Sequence, residues 1–340
     1  MRRSTDRRKK RRRALVTGGA GFIGSNLCDS LLDDDNEVVA VDDLSAGSRD
    51  NLVAAFQSED FRLVTADVAD IVIMDHLISE ADVVFHLAAT VGVKRAVNEP
   101  RLVIENNIKG TDSVLRACGR YGTRVIIASS SEVYGRNSAA PLRESDDRIL
   151  GPPQVQRWSY SASKGIDEML AFAFYNEFGV PATVTRFFNT TGPRQSSAYG
   201  MVVPTFVRAA LAGQPLLVHG DGTQRRCFCH VSDTVRALML LSEAEDAAGE
   251  VYNVGSTEEI SMRELADLTI RLVGELCPEA ILAEPAIRLV PYAEAYNVAF
   301  EDTPRRVPCI DRLHELTGWQ HSLGIEHIVR EMIAQHGAGA

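Results

Sequence analysis

The sequence predicts an α/β protein, a doubly wound parallel sheet with a smaller C-terminal α/β lobe. Three observations predict it. Short apolar segments of strand length recur between Ala14 and Arg186 with helical stretches between them, the alternation that a parallel sheet covered on both faces requires. A glycine-rich turn follows the first of these segments directly. The 340 residues are 45% hydrophobic and 24% charged, an ordinary globular balance, and no apolar run reaches the roughly 18 residues of a membrane span.

The elements follow in order. Ala14-Leu15-Val16-Thr17 reads as the first strand, and a helix runs from the glycine turn to about Leu32. Glu37–Val41 and Phe61–Thr65 are the second and third strands, and Asp82–His86 and Arg124–Ala128 continue the series. A helix beginning near Tyr160 leads to a further strand at Pro181–Arg186. After about Asn189 proline and glycine become denser, as in Gly192-Pro193 and Gly220-Asp221-Gly222. Short strands at Leu216–Val218 and Val251–Val254 mix with helices there, which marks the smaller lobe. The boundaries predicted are a basic tail at 1–13, a sheet domain at 14–188, and a lobe at 189–336 from which the chain can cross back to the sheet.

Charge and cysteines narrow the function classes. Residues 2–13 hold nine Arg or Lys and one Asp, net +8, so within a total of −10 the remainder carries −18. An acidic body argues against nucleic acid as a partner, and the tail reads as a solvated, disordered arm. No apolar stretch follows the basic residues, so the arm is not read as a secretory signal, and no membrane partner is expected. Six cysteines lie scattered without framework spacing, as in reduced cytoplasmic proteins. Alternation puts Cys227 and Cys229 on one strand face and His230 on the other, so no metal site is expected there.

The first site candidate is the turn Thr17-Gly18-Gly19-Ala20-Gly21-Phe22-Ile23-Gly24. Its glycines at 18, 21 and 24 permit a tight turn, close approach of backbone to a pyrophosphate, and close helix–sheet packing. Asp42 ends the second strand 18 positions after Gly24, where a carboxylate accepts bonds from the adenosine ribose and repels a 2′-phosphate. The fold is therefore expected to be Rossmann-type, and the cofactor NAD rather than NADP. Asp67, at the end of the third strand, can reach the adenine amino group or stand as a solvated loop carboxylate.

Tyr160 and Lys164 in Tyr160-Ser161-Ala162-Ser163-Lys164 share a helix face. A free phenol is a poor base near neutrality, but an ammonium and a bound nicotinamide cation both favour phenolate, so the pair can act as a general base. Ser129-Ser130-Ser131 ends a strand, at the sheet edge where ligands of such folds bind, and can donate a hydroxyl to the same substrate oxygen.

Together these residues resemble the extended short-chain dehydrogenase/reductase family, in particular its nucleotide-sugar epimerases, dehydratases and decarboxylases. The resemblance covers nearly the whole chain from Ala14. It rests on TGGAGFIG at 17–24, HLAA at 86–89, Asn107-Ile108-Lys109-Gly110-Thr111, SSSEVYG at 129–135 and YSASK at 160–164. GPRQ at 192–195, HGDGTQRRCF at 219–228 and Tyr252-Asn253-Val254-Gly255 extend it. The resemblance implies that Gly18, Gly21, Phe22, Ile23, Asp42, Asp67 and Val68 hold the adenosine half of NAD. It implies that Ala88 and Ala89 line the nicotinamide ribose, that Leu87, Tyr160 and Lys164 also bind the cofactor, and that Asn107, counted with these cofactor residues, sits behind the active-site strand. Tyr160 and Lys164 would be the catalytic pair, assisted by Ser130 or Ser131. Asn189, Arg226 and Arg306 would grip the diphosphate of a UDP-sugar, and residues 216–219 would cover the uracil. Lys94, Glu132, Thr190, Val203 and His219 complete the expected substrate site. His219 stands where many relatives carry an aromatic residue, and Cys309 where relatives often place an aspartate, so the nucleotide contacts at these two positions depart from the pattern. The resemblance also implies a homodimer.

Three reactions share this apparatus. The 4,6-dehydratases typically carry Asp-Glu before Val-Tyr-Gly, whereas this chain has Ser131-Glu132, which argues against dehydration. Ser-Glu resembles the decarboxylases. Ala89-Thr90-Val91-Gly92-Val93-Lys94 looks like a segment of the epimerases, and Arg157-Trp158-Ser159-Tyr160-Ser161 departs from the Arg-x-x-Tyr-Asp of decarboxylases. On this reading a 4-epimerase of UDP-glucuronate and UDP-galacturonate leads, with UDP-glucuronate decarboxylation and UDP-glucose 4-epimerisation as alternatives. Arg194 is expected to bind the uronate carboxylate as a two-bond fork, the alternative being that it binds phosphate or a neighbouring carboxylate. A scaffold that only senses NAD is the non-enzymatic alternative, and the intact tyrosine and lysine argue against it.

Overall fold

The computed structural model describes residues 11–196, 201–278, 286–292, 294, 303 and 305–337, excepting the side chains of residues 93, 94 and 337. Seven parallel strands form the main sheet: β1 (Arg13–Thr17), β2 (Glu37–Asp42), β3 (Phe61–Thr65), β4 (Val83–His86), β5 (Arg124–Ser130), β6 (Ala182–Phe187) and a late strand, Val251–Val254. Their order is Val251–Val254, β6, β5, β4, β1, β2, β3. Strand order reverses at β1, which pairs with β2 on one side and β4 on the other. Ligands of open parallel sheets bind outside the carboxyl ends at such a reversal.

Period-two alternation feeds two cores. Ala14 and Val16 of β1 pack with Leu27 and Leu31 of α1 (Phe22–Asp33) and with Val235, Leu238 and Leu241 of a later helix, Val231–Glu243. Leu15, on the opposite face, packs with Met74 and Ile78 of α2 (Ile71–Ser79), Val114 of α4 (Pro100–Tyr121) and Ala171 of α5 (Trp158–Phe178). The short helix α3 (Val93–Asn98) lies between β4 and α4 in the chain. The lobe has its own core, in which Phe206 and Val207 meet Leu265, Leu272, Ile328 and Met332.

Two predicted boundaries change. The arm was expected to stay free as far as residue 13, yet β1 begins at Arg13, whose backbone N–H donates to Asp82 at 2.8 Å. Arg12 reaches Glu243 at 3.4 Å and Arg11 pairs with Asp60 and Glu37. The cause is electrostatic, because acidic residues cluster where β2, β3 and β4 begin. The lobe was expected as residues 189–336, but Val251–Val254 pairs with β6 in the main sheet and helix Val231–Glu243 packs on α1. The chain does cross back, more than once. Among the described residues no helix is long and apolar enough to cross a membrane.

Candidate active site

The turn after β1 is shaped by contacts that leave no room for side chains. Gly18 has φ +68°, and a Cβ there would stand 2.8 Å from the backbone nitrogen of Ala88. A Cβ on Gly24 would stand 2.1 Å from the carbonyl oxygen of Gly18. Gly21 precedes the first residue of α1, Phe22, so the helix N-terminus opens onto this turn. Beneath it, the buried His86 ring bridges Thr17 at 2.8 Å and Thr111 at 3.2 Å. Burial and the nearby Lys164 charge hold this imidazole down to about 3, so it is neutral. Thr17 in turn accepts from the Ala88 N–H at 3.2 Å, fixing Leu87, Ala88 and Ala89 beside the glycines. This cradle of backbone N–H groups at a helix N-terminus fits a dinucleotide pyrophosphate.

Asp42 is buried at the end of β2 and accepts from the N–H groups of Ala20 at 3.0 Å and Leu44 at 2.8 Å. Burial pushes its pKa up while these bonds oppose the shift. Each oxygen keeps a further lone pair for a ribose hydroxyl. Asp67 is exposed and bonds the N–H of Ala69 at 2.8 Å; Val68 packs against Gly110. Ile23 and Phe22 lie in the first turn of α1, against the core. Asn107 is 2% exposed, and it accepts from the Thr90 N–H at 2.7 Å and donates to Ser163 at 3.1 Å. It thereby ties the segment after β4 to α5.

The catalytic candidates converge at the end of β5. The Ser130 side chain lies beside the Tyr160 phenol, and its hydroxyl accepts from the Glu132 N–H at 3.2 Å. Ser131, equally available on sequence, lies 3.5 Å from a guanidinium nitrogen of Arg306 instead. Of the two serines, Ser130 is the one beside the Tyr160 phenol. Tyr160 is raised from its ordinary pKa: burial raises it, and Lys164 and Ser130 oppose that without overcoming it. Lys164 is raised as well, because its carboxylate neighbour Asp167 outweighs the penalty of burial.

Glu132 is the second residue of the one-turn helix Ser131–Tyr134 and is clamped by Arg157 at 2.7 Å and Arg306 at 2.6 Å. Burial would raise its pKa, but the two guanidiniums outweigh burial and hold the carboxyl far below its usual range. Arg306 was expected to grip a diphosphate; here its side chain turns to Glu132, within reach because Arg305–Arg306 pairs with the strand Arg225–Cys227. Arg226 stands opposite it, 9% exposed, and donates to the Arg225 carbonyl.

Other expected substrate residues make contacts within the protein. Asn189 donates to the Cys227 carbonyl at 2.8 Å, and the Thr190 hydroxyl meets that of Thr234 at 3.1 Å. Val203, 1% exposed, belongs to the core of the lobe. Arg194 was expected to read a sugar carboxylate; it pairs instead with Asp29 of α1 at 2.6 Å, a carboxylate the local sequence does not announce. His219 ends the strand Leu216–His219, and its carbonyl accepts from Gln224 at 2.7 Å. The His230 ring lies between Ser232 and Glu331. The side chain of Lys94 lies outside the described residues.

Sequence reasoning missed two site residues. Arg157 lies three positions before Tyr160, inside a segment judged only for its departure from a motif. Asp167, one helical turn after Lys164, is 0% exposed, and its spacing alone could have flagged it.

Comparison with known proteins agrees with this geometry. Residues 14–255 match the NAD dependent epimerase/dehydratase family. The chain is 36% identical over 327 residues to a UDP-N-acetyl-alpha-D-glucosaminuronate decarboxylase of Bacillus cytotoxicus, covering 95% of this chain and 97% of the relative. It is 36% identical over 309 residues to UDP-glucuronic acid decarboxylase 6 of Arabidopsis thaliana, covering 91% and 84%. Among solved structures it superposes on a UDP-N-acetylglucosamine 4-epimerase of Methanobrevibacter ruminantium with a TM-score of 0.86, 28% identity and coverage of 98% and 100%. A dTDP-glucose 4,6-dehydratase of Streptomyces venezuelae, solved with NAD, gives 0.83, 27% identity and coverage of 96% and 97%. The cofactor is NAD, and the chain belongs to the NAD dependent epimerase/dehydratase family.

Proposed function

We propose that the protein decarboxylates a UDP-hexuronate, UDP-glucuronate or its 2-acetamido counterpart, with NAD held and returned at each turnover. The observation that carries this reading is the Arg157–Glu132–Arg306 cluster at the end of β5, adjoining Ser130 and Tyr160. Two cations against one carboxylate leave a net positive charge in a partly enclosed site, which favours a carboxylated sugar over a neutral one. Relatives named as decarboxylases, at 36% identity, support loss of that carboxylate over its retention.

When bound, NAD supplies a two-electron sink beside the sugar, which allows a secondary carbinol there to exist as a ketone. Tyr160 takes the hydroxyl proton, and Ser130 steadies the same oxygen through its hydrogen bond. Lys164 stabilises the phenolate by its charge. A hexuronate oxidised at C4 is a β-keto acid, so its C5–carboxylate bond can break with the electron pair drawn toward the ketone. The Glu132 cluster stands where it can orient the carboxylate through Arg157 and Arg306, while Glu132, held as an anion, has no proton to give, so the proton that replaces CO₂ at C5 comes from solvent.

The test is incubation with UDP-glucuronate and with UDP-N-acetylglucosaminuronate, with products identified by mass spectrometry. The reading expects a UDP-pentose, or its acetamido analogue, and stoichiometric CO₂. A product that keeps its carboxylate and differs only at C4 would replace this reading with the 4-epimerase, which the 4-epimerase structural neighbour supports. We also propose a homodimer formed through α4 and α5. Leu102, Ile104, Ile166 and Met169 leave apolar surface exposed on these helices, and light scattering of the purified protein checks the mass.

A further inference from the structure

Lys164 and Asp167 lie one turn apart on α5 and are 2% and 0% exposed, with Nζ and Oδ2 separated by 3.0 Å. Oδ1 of Asp167 is buried without a hydrogen-bond partner among the described residues. A carboxylate so enclosed and half satisfied is costly, and a helix interior does not need it. Neighbouring acids are better served. Glu168 is held by Arg186 through two bonds, at 2.9 and 2.8 Å, and by Ser129 at 2.5 Å. Asp167 has Lys164.

We propose that Asp167 is a positioning residue for the catalytic pair: a fixed counterion that holds the Lys164 ammonium and withholds part of its charge from the Tyr160 phenol. This rests on reading Tyr160 as the base. The other charges around the pair are unchanged when Asp167 alone is replaced. From β4, His86 is neutral between Thr17 and Thr111. From the one-turn helix, Glu132 with Arg157 and Arg306 forms a cluster of net positive charge that parent and variants share. From β6, Arg186 is matched by Glu168. From α4, Asn107 is uncharged, and Glu105 answers Arg101 and Lys109 at the surface. Arg148 packs against Gly165 and is common to parent and variants. Removing the Asp167 charge alone therefore exposes Tyr160 to an uncancelled ammonium, which favours phenolate.

Asp167→Asn tests this. The protein is labelled with ¹³C at the tyrosine Cζ, saturated with NAD without sugar, and titrated by NMR, with Tyr160→Phe assigning the Tyr160 signal. The Tyr160 midpoint is expected to fall by about one pH unit, and the acid limb of kcat/KM to move to lower pH with it. A midpoint that stays or rises overturns the proposal. A role in packing alone would lower activity at every pH without moving either curve, which is the same refutation. If Asp167→Asn does not fold, Asp167→Glu keeps the charge and must keep the parental midpoint; a displaced midpoint overturns the proposal too. If the midpoint falls but the activity profile does not follow, the counterion stands and the assignment of Tyr160 as base fails.

Discussion

Replacing Glu132 with glutamine keeps the side chain's shape and removes one charge from between two buried guanidiniums. Arg157 and Arg306 are 6% and 7% exposed and lie 2.7 and 2.6 Å from its oxygens. Removing one partner of a buried ion pair costs about 3–5 kcal/mol. The glutamine carbonyl can still serve one arginine, and Glu132 is itself 20% exposed, so about 2–4 kcal/mol is expected here. For a chain of 340 residues that lowers Tm by about 3–6 °C, readable by scanning calorimetry at pH 7. The pH course gives a second reading. The carboxyl of Glu132 is held below its ordinary value, because Arg306 and Arg157 outweigh the opposing effect of burial. Its stabilisation is therefore complete above the unfolded pKa of about 4.3 and is lost as pH falls toward the folded value. The gap in Tm between parent and Glu132→Gln should stay constant from pH 6 to 8, as an approximate window, and narrow below about pH 4. Equal Tm values at pH 7, or a gap that widens in acid, would refute the clamp as described.

Three further outcomes are expected. Tyr160→Phe should lower kcat by about 10²–10⁴ and leave NAD affinity, measured by titration calorimetry, nearly unchanged; retention of most activity would remove Tyr160 from the mechanism. Deleting residues 1–10 should leave Tm unchanged, whereas deleting 1–13 should lower it, since Arg13 opens β1 and Arg12 reaches Ser242 and Glu243; equal Tm values for the two truncations would count against that anchoring. Arg194→Ala should reduce turnover of UDP-glucuronate and UDP-N-acetylglucosaminuronate by the same factor, because Arg194 serves Asp29; a greater loss of affinity for carboxylated than for neutral UDP-sugars would return it to the substrate site.

The fold was legible wherever short-range pattern decides the structure. The strands at Phe61–Thr65 and Val251–Val254 stand at the residues read from their apolar runs, and the glycine turn joins β1 to α1 as its spacing demands. What the sequence hid were pairings between distant residues. Asp29 and Arg194 are 165 positions apart, and Glu132 and Arg306 are 174 apart. An arginine's destination depends on which carboxylate the tertiary fold brings to it. Local motifs therefore do not name the partners within the protein that Arg194 and Arg306 meet. The choice between Ser130 and Ser131 was hidden for a related reason: it turns on the 3₁₀ turn that begins at Ser131 and sends adjacent hydroxyls in different directions.

The path of the chain between sheet and lobe bears on how such a protein can acquire a new substrate. After β6 the backbone enters the lobe, returns through the helix Val231–Glu243 and the strand Val251–Val254, and departs again toward Met262–Leu276 and the C-terminal helix Ile325–Gly337. No single cut separates the two parts. A gene fusion that exchanged everything after residue 188 would also exchange a strand of the sheet and a helix fitted against α1, and the recombinant would inherit mismatched interiors. Specificity in this architecture is therefore expected to drift by substitutions in place, with the lobe's wall rewritten residue by residue around an unchanged catalytic floor.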